Sequence, residues 1–203
     1  VFFPFVNSPS TSDQQHQNNC YRILYPGRQK ASILSREKAE ALFSKFGLKI
    51  FHTNYVSAEL VKLFNNTYRY LEFAIANQFA IIAGDYGQNI YQLIQMANED
   101  YPRGYINSPG LTGGSCLRKD FGFFNERSST PDLFLSAWKV NEYMPYHMVV
   151  AATEKLDLYG KNVAILGYTF KRNTDDDRDS LVPKLIRYIE RKVPNKMTLH
   201  EPY

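Results

Sequence analysis

The run over residues 57–83 restricts the fold more than any other feature. Leu60, Phe64, Thr67, Leu71 and Ile75 recur there at spacings of three and four, the period of a helix with one apolar face. Ser57 opens it and Gly84 closes it. A helix this long needs an extended partner to cover its apolar face. The spacing therefore predicts a mainly helical middle built on long helices. A second long helix is expected over 132–158, with Leu133, Trp138, Met144 and Val149 among its apolar residues. Pro145 should kink or break it.

The flanks have a different pattern. Residues 7–19 are polar and read as a loop. A short strand is expected over 21–25, closed by Pro26-Gly27, and another over 48–52. Between them lies a helix, with Ser35 as its N-cap and Gly47 as its end. Residues 89–98 continue the helical pattern after Gly87, and 100–114 form a loop. Residues 162–166 make a compact apolar strand ended by Gly167. A helix over 179–191 follows, with Leu181, Leu185 and Ile189 at spacing four, and then a strand over 197–199. Strand, turn, helix, strand opens a parallel α/β layer. The expected fold class is a mainly α central domain with long helices, flanked by partial α/β layers.

Composition narrows the function. Apolar residues are 44% and charged residues 22%, which excludes a disordered chain. The 24 Lys and Arg against 20 Asp and Glu leave a net charge of +4. So small and scattered an excess calls for no nucleic-acid partner, though it suits an anionic ligand. No apolar run approaches ~18 residues, so no membrane-spanning helix is expected. Two cysteines, Cys20 and Cys116, cannot make a disulfide framework, and a reducing compartment such as the cytoplasm fits. His16, His52, His147 and His200 make no metal-ligand spacing, so no metal is expected.

Three constellations could carry chemistry. The first is Gly113-Gly114-Ser115-Cys116-Leu117-Arg118-Lys119-Asp120. Gly113 and Gly114 permit close approach of the backbone to a ligand. If Cys116 starts a helix, Asp120 lies one turn along on the same side. The helix N-terminus and the two cations would lower the thiol pKa. That suits a thiolate nucleophile with a carboxylate to move protons. The same residues also suit a small buried side chain behind a glycine turn.

The second constellation is the polar stripe Glu59, Lys62, Asn66 and Arg69 on the first long helix. Lys62 and Asn66, at i,i+4, could present an ammonium and an amide to one oxyanion; a solvated helix face explains them equally. The third runs over 167–180, between a strand and a helix. There Lys171 and Arg178 could grip a phosphate or carboxylate, or the aspartates could simply suit the helix dipole. Arg103, in a loop, could reach a ligand or a neighbouring subunit. No Gly-x-Gly-x-x-Gly occurs.

Taken together, the segments resemble the nucleotide-sugar dehydrogenases of the UDP-glucose/GDP-mannose dehydrogenase family. Residues 58–66 look like the family's central-helix signature and residues 113–120 like its nucleophile motif. Phe170-Lys171 through Arg178 and Ser180 look like the opening of its C-terminal nucleotide-sugar domain. The resemblance implies oxidation of a sugar C6 alcohol to a carboxylate, with two hydrides passed to two NAD. It implies that Cys116 attacks the intermediate aldehyde and carries a thioester. Lys62 and Asn66 would stabilise oxygen charge and position water, which Asp120 helps to activate. Arg103, Lys171, Gly113 and Gly114 would touch substrate; Arg178 and Lys119 would touch cofactor. The partners implied are a nucleotide sugar and a second copy, with no nucleic acid and no membrane.

By the same resemblance, residues 1–50 would be the tail of an N-terminal dinucleotide-binding domain. Residues 51–158 would be the central dimerisation and catalytic domain, and residues 159–203 the start of the C-terminal Rossmann-like domain. Ser8-Pro9 is followed by Ser10 where the family has Glu, so no glutamate is assigned there. The chain is expected to be a fragment, silent by itself with NAD and a nucleotide sugar. Residues 173–180 with Gly-Gly-Ser-Cys look most like the UDP-glucose members. UDP-N-acetylhexosamine and GDP-mannose members share much of the pattern. A non-catalytic dimerising module that only holds a nucleotide sugar is the competing class.

Overall fold

A computed structural model describes residues 2–4, 21–24, 33–47 and 49–202. The polar loop over 7–19, Cys20 and the Pro26-Gly27 turn lie outside the described residues. The chain gathers into two compact units, one ending at Asn66 and the other taking in the first few residues and everything from Thr67 onward.

The smaller unit is built on β2 (Tyr21–Leu24), α1 (Ile33–Ser44), β3 (Lys49–His52) and the first turns of α2 (Tyr55–Asp85). The two strands are parallel, Tyr21 opposite Lys49 and Leu24 opposite His52, and α1 packs on both. Helix α1 begins two residues before Ser35, so Ser35 is an interior residue rather than the expected cap. Gly47 does end the turn beyond α1, at φ 66°, a value that suits glycine. Helix α2 starts before Ser57 because Asn54 caps it: the Asn54 Oδ1 accepts from the Ser57 N–H at 2.9 Å.

The larger unit holds the rest of α2, then α3 (Ile90–Asn98), α4 (Ser115–Arg127), α5 (Asp132–Lys155), β4 (Asn162–Leu166), α6 (Val182–Glu190) and β5 (Lys196–His200). Strand β1 (Phe2–Pro4) also belongs to it, in a parallel sheet of order β1-β4-β5. Phe2 faces Ala164, and Asn162 faces Lys196. The β4–α6–β5 succession is the parallel α/β layer expected from the sequence, although α6 starts three residues late. The segment before it is a turn stapled by the Ser180 hydroxyl, which donates to the Tyr168 carbonyl at 2.6 Å. Leu181, Leu185 and Ile189 are all buried as their spacing predicted, and they pack with Val163, Ile165, Val149 and Leu158 in one core.

Two expectations are corrected. Helix α5 remains a single element through Pro145. Pro145 is buried, and the burial of Met144 and Val149 beside it offsets the backbone hydrogen bond that proline forfeits. On α2, Thr67 of the predicted stripe is buried together with Tyr70, Ala74, Asn77 and Ala83, Leu60 and Leu71 are half-buried, and the other two members are exposed. Phe64 is 56% exposed and Ile75 52%. Periodicity located the helix but not which of its residues the chain itself buries.

Asn77 and Asn141 explain how α2 and α5 are pinned. The Asn77 amide donates to Asn141 Oδ1 at 2.9 Å, Asn141 donates to the Tyr70 carbonyl at 3.2 Å, and Asn77 Oδ1 accepts from the Gly110 N–H at 2.8 Å. Both asparagines are fully buried, so each polar atom needs such a partner. The last of these bonds fixes the loop that leads to Gly113.

Candidate active site

Helix α4 begins at Ser115, and Gly114 is its N-cap residue at φ 94°. A Cβ at Gly113 would stand 2.8 Å from Phe170 Cβ and 3.0 Å from the Asp179 carbonyl oxygen; one at Gly114 would stand 3.0 Å from the Phe170 ring. The Gly114 N–H also donates to the Asp179 carbonyl at 3.3 Å. The glycine pair is therefore needed where the segment over 168–180 crosses the turn. Gly113→Ala and Gly114→Ala are each expected to destabilise the fold by about 1–3 kcal/mol. Urea midpoints of the two variants check this.

Cys116 occupies the first turn of α4 and is exposed. The alternative of a small buried side chain behind a glycine turn is thereby set aside. Asp120 follows one turn on and is buried at 1% exposure, with Lys119 Nζ 3.6 Å from its Oδ1. The other neighbouring cation, Arg118, turns away to Glu142 at 2.7 Å and Asp179 at 3.4 Å. Arg178 lies on the segment that crosses the glycine turn. Its guanidinium is held above its ordinary pKa by a two-pronged pair with Asp176 at 2.7 and 2.8 Å, and further by the charges of Cys116 and Asp179. Reciprocally, the hydrogen bonds from Arg178 hold the Asp176 carboxyl down at about 2.

Lys171 is exposed, its ammonium 5.7 Å from the Phe170 ring centroid. Arg103 is exposed in the loop between α3 and α4. Lys62 and Asn66 stand one turn apart on α2, Lys62 exposed and Asn66 half-buried, in the unit that ends at Asn66. The larger unit thus brings together Gly113, Gly114, Cys116, Lys119, Asp120 and Arg178.

Behind Asp120, Phe121 stacks on Tyr70 with centroids 5.0 Å apart and planes within 8°. Burial pushes the Tyr70 phenol up to about 12 from its ordinary 10.0. The unfolded chain therefore loses this proton first as pH rises. The Tyr70 contribution to stability is complete below pH 10 and is lost between about pH 10 and 12. Tyr70→Phe should flatten the alkaline fall in urea midpoint over that window.

Sequence reasoning missed Glu142, Lys184 and Glu201. Glu201 Oε2 accepts from the Tyr168 N–H at 2.7 Å and the Thr169 N–H at 3.0 Å, so the N–H groups after β4 are already taken by a carboxylate. With them occupied, the turn at Gly167 does not fit a dinucleotide pyrophosphate. Among the described residues no cluster fit for a metal ion occurs, and no helix is long and apolar enough to cross a membrane.

Residues 56–143 match the central domain of the UDP-glucose/GDP-mannose dehydrogenase family. The chain is 37% identical over 190 residues to the UDP-N-acetyl-D-mannosamine dehydrogenase of Pyrococcus horikoshii, covering 90% of this chain and 44% of that protein. It is 33% identical over 185 residues to the UDP-glucose 6-dehydrogenase of Rickettsia prowazekii, covering 84% and 42%. The solved structure of the Pyrococcus horikoshii enzyme superposes with a TM-score of 0.74 at 32% identity, over 93% of this chain and 46% of that one. A UDP-glucose dehydrogenase from Pyrobaculum islandicum gives 0.71 at 27% identity, over 85% and 41%. The chain thus spans less than half the length of the relatives it matches. With its ordered motifs, its helical middle and these likenesses, it belongs to the UDP-glucose/GDP-mannose dehydrogenase family.

Proposed function

We propose that the full-length protein is a nucleotide-sugar 6-dehydrogenase that oxidises the C6 alcohol of a UDP-hexose to the acid through Cys116. The observation that carries this reading is an exposed cysteine in the first turn of α4 with a buried carboxylate, Asp120, one turn behind it. An exposed thiol at a helix N-terminus is placed to react.

In this reading the Cys116 thiolate adds to the C6 carbonyl of the aldehyde, and the carbonyl oxygen takes the negative charge. Lys62 and Asn66 are the proposed donors to that oxygen. Loss of hydride from C6 leaves a thioester on Sγ. Water then adds to the thioester, Asp120 accepts its proton, and the thiolate departs as the carboxylate forms. Lys171, Arg103, Gly113 and Gly114 are proposed on the substrate side, with Lys171 and Arg103 as counter-charges for the diphosphate.

NAD is the proposed hydride acceptor. The described residues do not form its cradle, and the stretch offers only the cations Arg178 and Lys119 toward it. We place the chain as the tail of a Rossmann-like domain over 1–50, a central domain over 51–158 and the opening of a second Rossmann-like domain over 159–203. A homodimer in the cytoplasm completes the proposal. The exposed Ile75, Phe79 and Ile82 of α2 support the dimer.

UDP-N-acetyl-D-mannosamine stands first among the substrates, on the name of the 37% identical relative. UDP-glucose stands second, on the motif resemblance and the Rickettsia relative. A kcat/KM panel with UDP-N-acetyl-D-mannosamine, UDP-glucose and GDP-mannose, read by NADH absorbance in the full-length protein, tests the proposal. Turnover of a UDP-hexose is expected. Absence of turnover with all three would overturn the enzyme reading in favour of a binding module.

A further inference from the structure

Glu142 lies near the middle of α5 (Asp132–Lys155), and its side chain is only 12% exposed. It is the hub of a four-residue ionic cluster. The Arg118 Nε and a terminal guanidinium nitrogen both meet Glu142 Oε1, at 3.0 and 2.7 Å. Lys184, on α6, donates to Glu142 Oε2 at 3.0 Å and to the Glu142 backbone carbonyl at 2.7 Å. The remaining Arg118 nitrogen reaches Asp179 Oδ1 at 3.4 Å. Asp179 sits at φ 55°, a strained value for a residue with a side chain. It is held there from two sides, by Arg118 on its carboxylate and by the Gly114 N–H on its carbonyl.

Two members of this cluster, Arg118 and Asp179, lie beside Cys116 in the chain or against the turn that carries it. Arg118 is two residues beyond the thiol on the same helix. Gly114 is two residues before it. Asp179 follows Arg178 in the segment that crosses the glycine turn before Cys116. The cluster balances two carboxylates against two cations, so it can be half-buried without stranding a charge. At 118 the guanidinium fork meets Glu142 and Asp179 through separate nitrogens, a spread that the single nitrogen of a lysine does not reproduce.

We propose that Glu142 is a positioning residue for Cys116, acting through Arg118 and Lys184 to fasten the N-terminus of α4 and the Arg178 segment into one body. The proposal rests on the reading of Cys116 as the nucleophile, and its test separates the two. In the full-length protein, Glu142→Gln, Arg118→Lys and the double variant are compared for kcat and KM with the UDP-hexose that the parent turns over. The rate of Cys116 alkylation by iodoacetamide is followed in parallel by peptide mass spectrometry. Displacing the thiol by about 1 Å should lower kcat about 10- to 100-fold, with KM within about threefold. Alkylation of Cys116 should change by about fivefold or more. The double variant should be no worse than the more damaged single one, because both break the same link.

Equal kcat and equal alkylation in all variants, with only a lowered melting temperature, would overturn the proposal and leave the cluster a stabilising contact. If Glu142→Gln fails to fold, Arg118→Lys, which keeps the charge and one contact, decides by the same two readouts. If Cys116→Ser retains full turnover, the nucleophile reading falls, and the alkylation rate alone decides whether Glu142 positions the thiol.

Discussion

Cys116→Ser in the full-length protein is expected to lower the rate of sugar-acid formation by about 1,000-fold or more, while the protein remains folded and binds its nucleotide sugar. The size of the effect follows from what a nucleophile does. A serine hydroxyl in the same turn keeps the shape but is a far weaker nucleophile toward a carbonyl at neutral pH than a cysteine sulfur. Losses of this order are usual when a covalent catalyst is removed and the rest of the site is left intact. The substitution is nearly isosteric at an exposed position, so a fall in stability cannot account for it. Formation of the acid is measured by chromatography of the quenched reaction beside a melting curve. An unchanged rate would remove Cys116 from the mechanism.

Ile75→Asp combined with Phe79→Asp is expected to convert a dimer into a monomer, raising the dissociation constant by about 100-fold or more. These side chains are 52% and 40% exposed. With Ile82, Tyr86 and Leu93 they continue into an apolar groove of about 310 Å³ between the end of α2 and α3, whose lining also includes Ile90 and Ile94. An apolar surface of this extent on a lone chain marks an interaction site. Two charges buried there without partners would cost most of the association energy. Sedimentation at micromolar concentration reads the result. A monomer before substitution, or a dimer after it, would remove α2 from the interface.

The elements were legible from the sequence because their signals are local. Gly47 and Gly167 punctuate the chain where a helix and a strand end, α2 runs one residue past Gly84, and Leu181, Leu185 and Ile189 mark the buried side at α6 and its cap. The apolar stripe of α2 misled for a physical reason. Phe64 and Ile75 have the right period for a buried face, but periodicity does not say which neighbour covers it, and within the chain the buried residues include Tyr70, Ala74, Asn77 and Ala83. Pro145 misled because its local cost is outweighed by the burial of Met144 and Val149, which propensity does not record.

The candidate site divides in the same way. Gly113 to Asp120 are contiguous, so their relation could be read from helical spacing alone. Glu142 reaches Arg118 across 24 residues and Lys184 across 42, and no spacing rule connects them. Asp179 looked like one acid in an acidic run. Its role depends on the backbone of Gly114, which only the folded chain brings to it. The pairing of Arg178 with Asp176 was equally local, but its nearness to Cys116 was not.

The stoichiometry of reduced cofactor to sugar acid tests the central claim most directly. Full-length protein with a UDP-hexose and excess NAD should form two NADH for each acid, because the C6 alcohol and then the Cys116-bound aldehyde each give up one hydride. One NADH with accumulation of the aldehyde, or acid formed with no NADH, would contradict it.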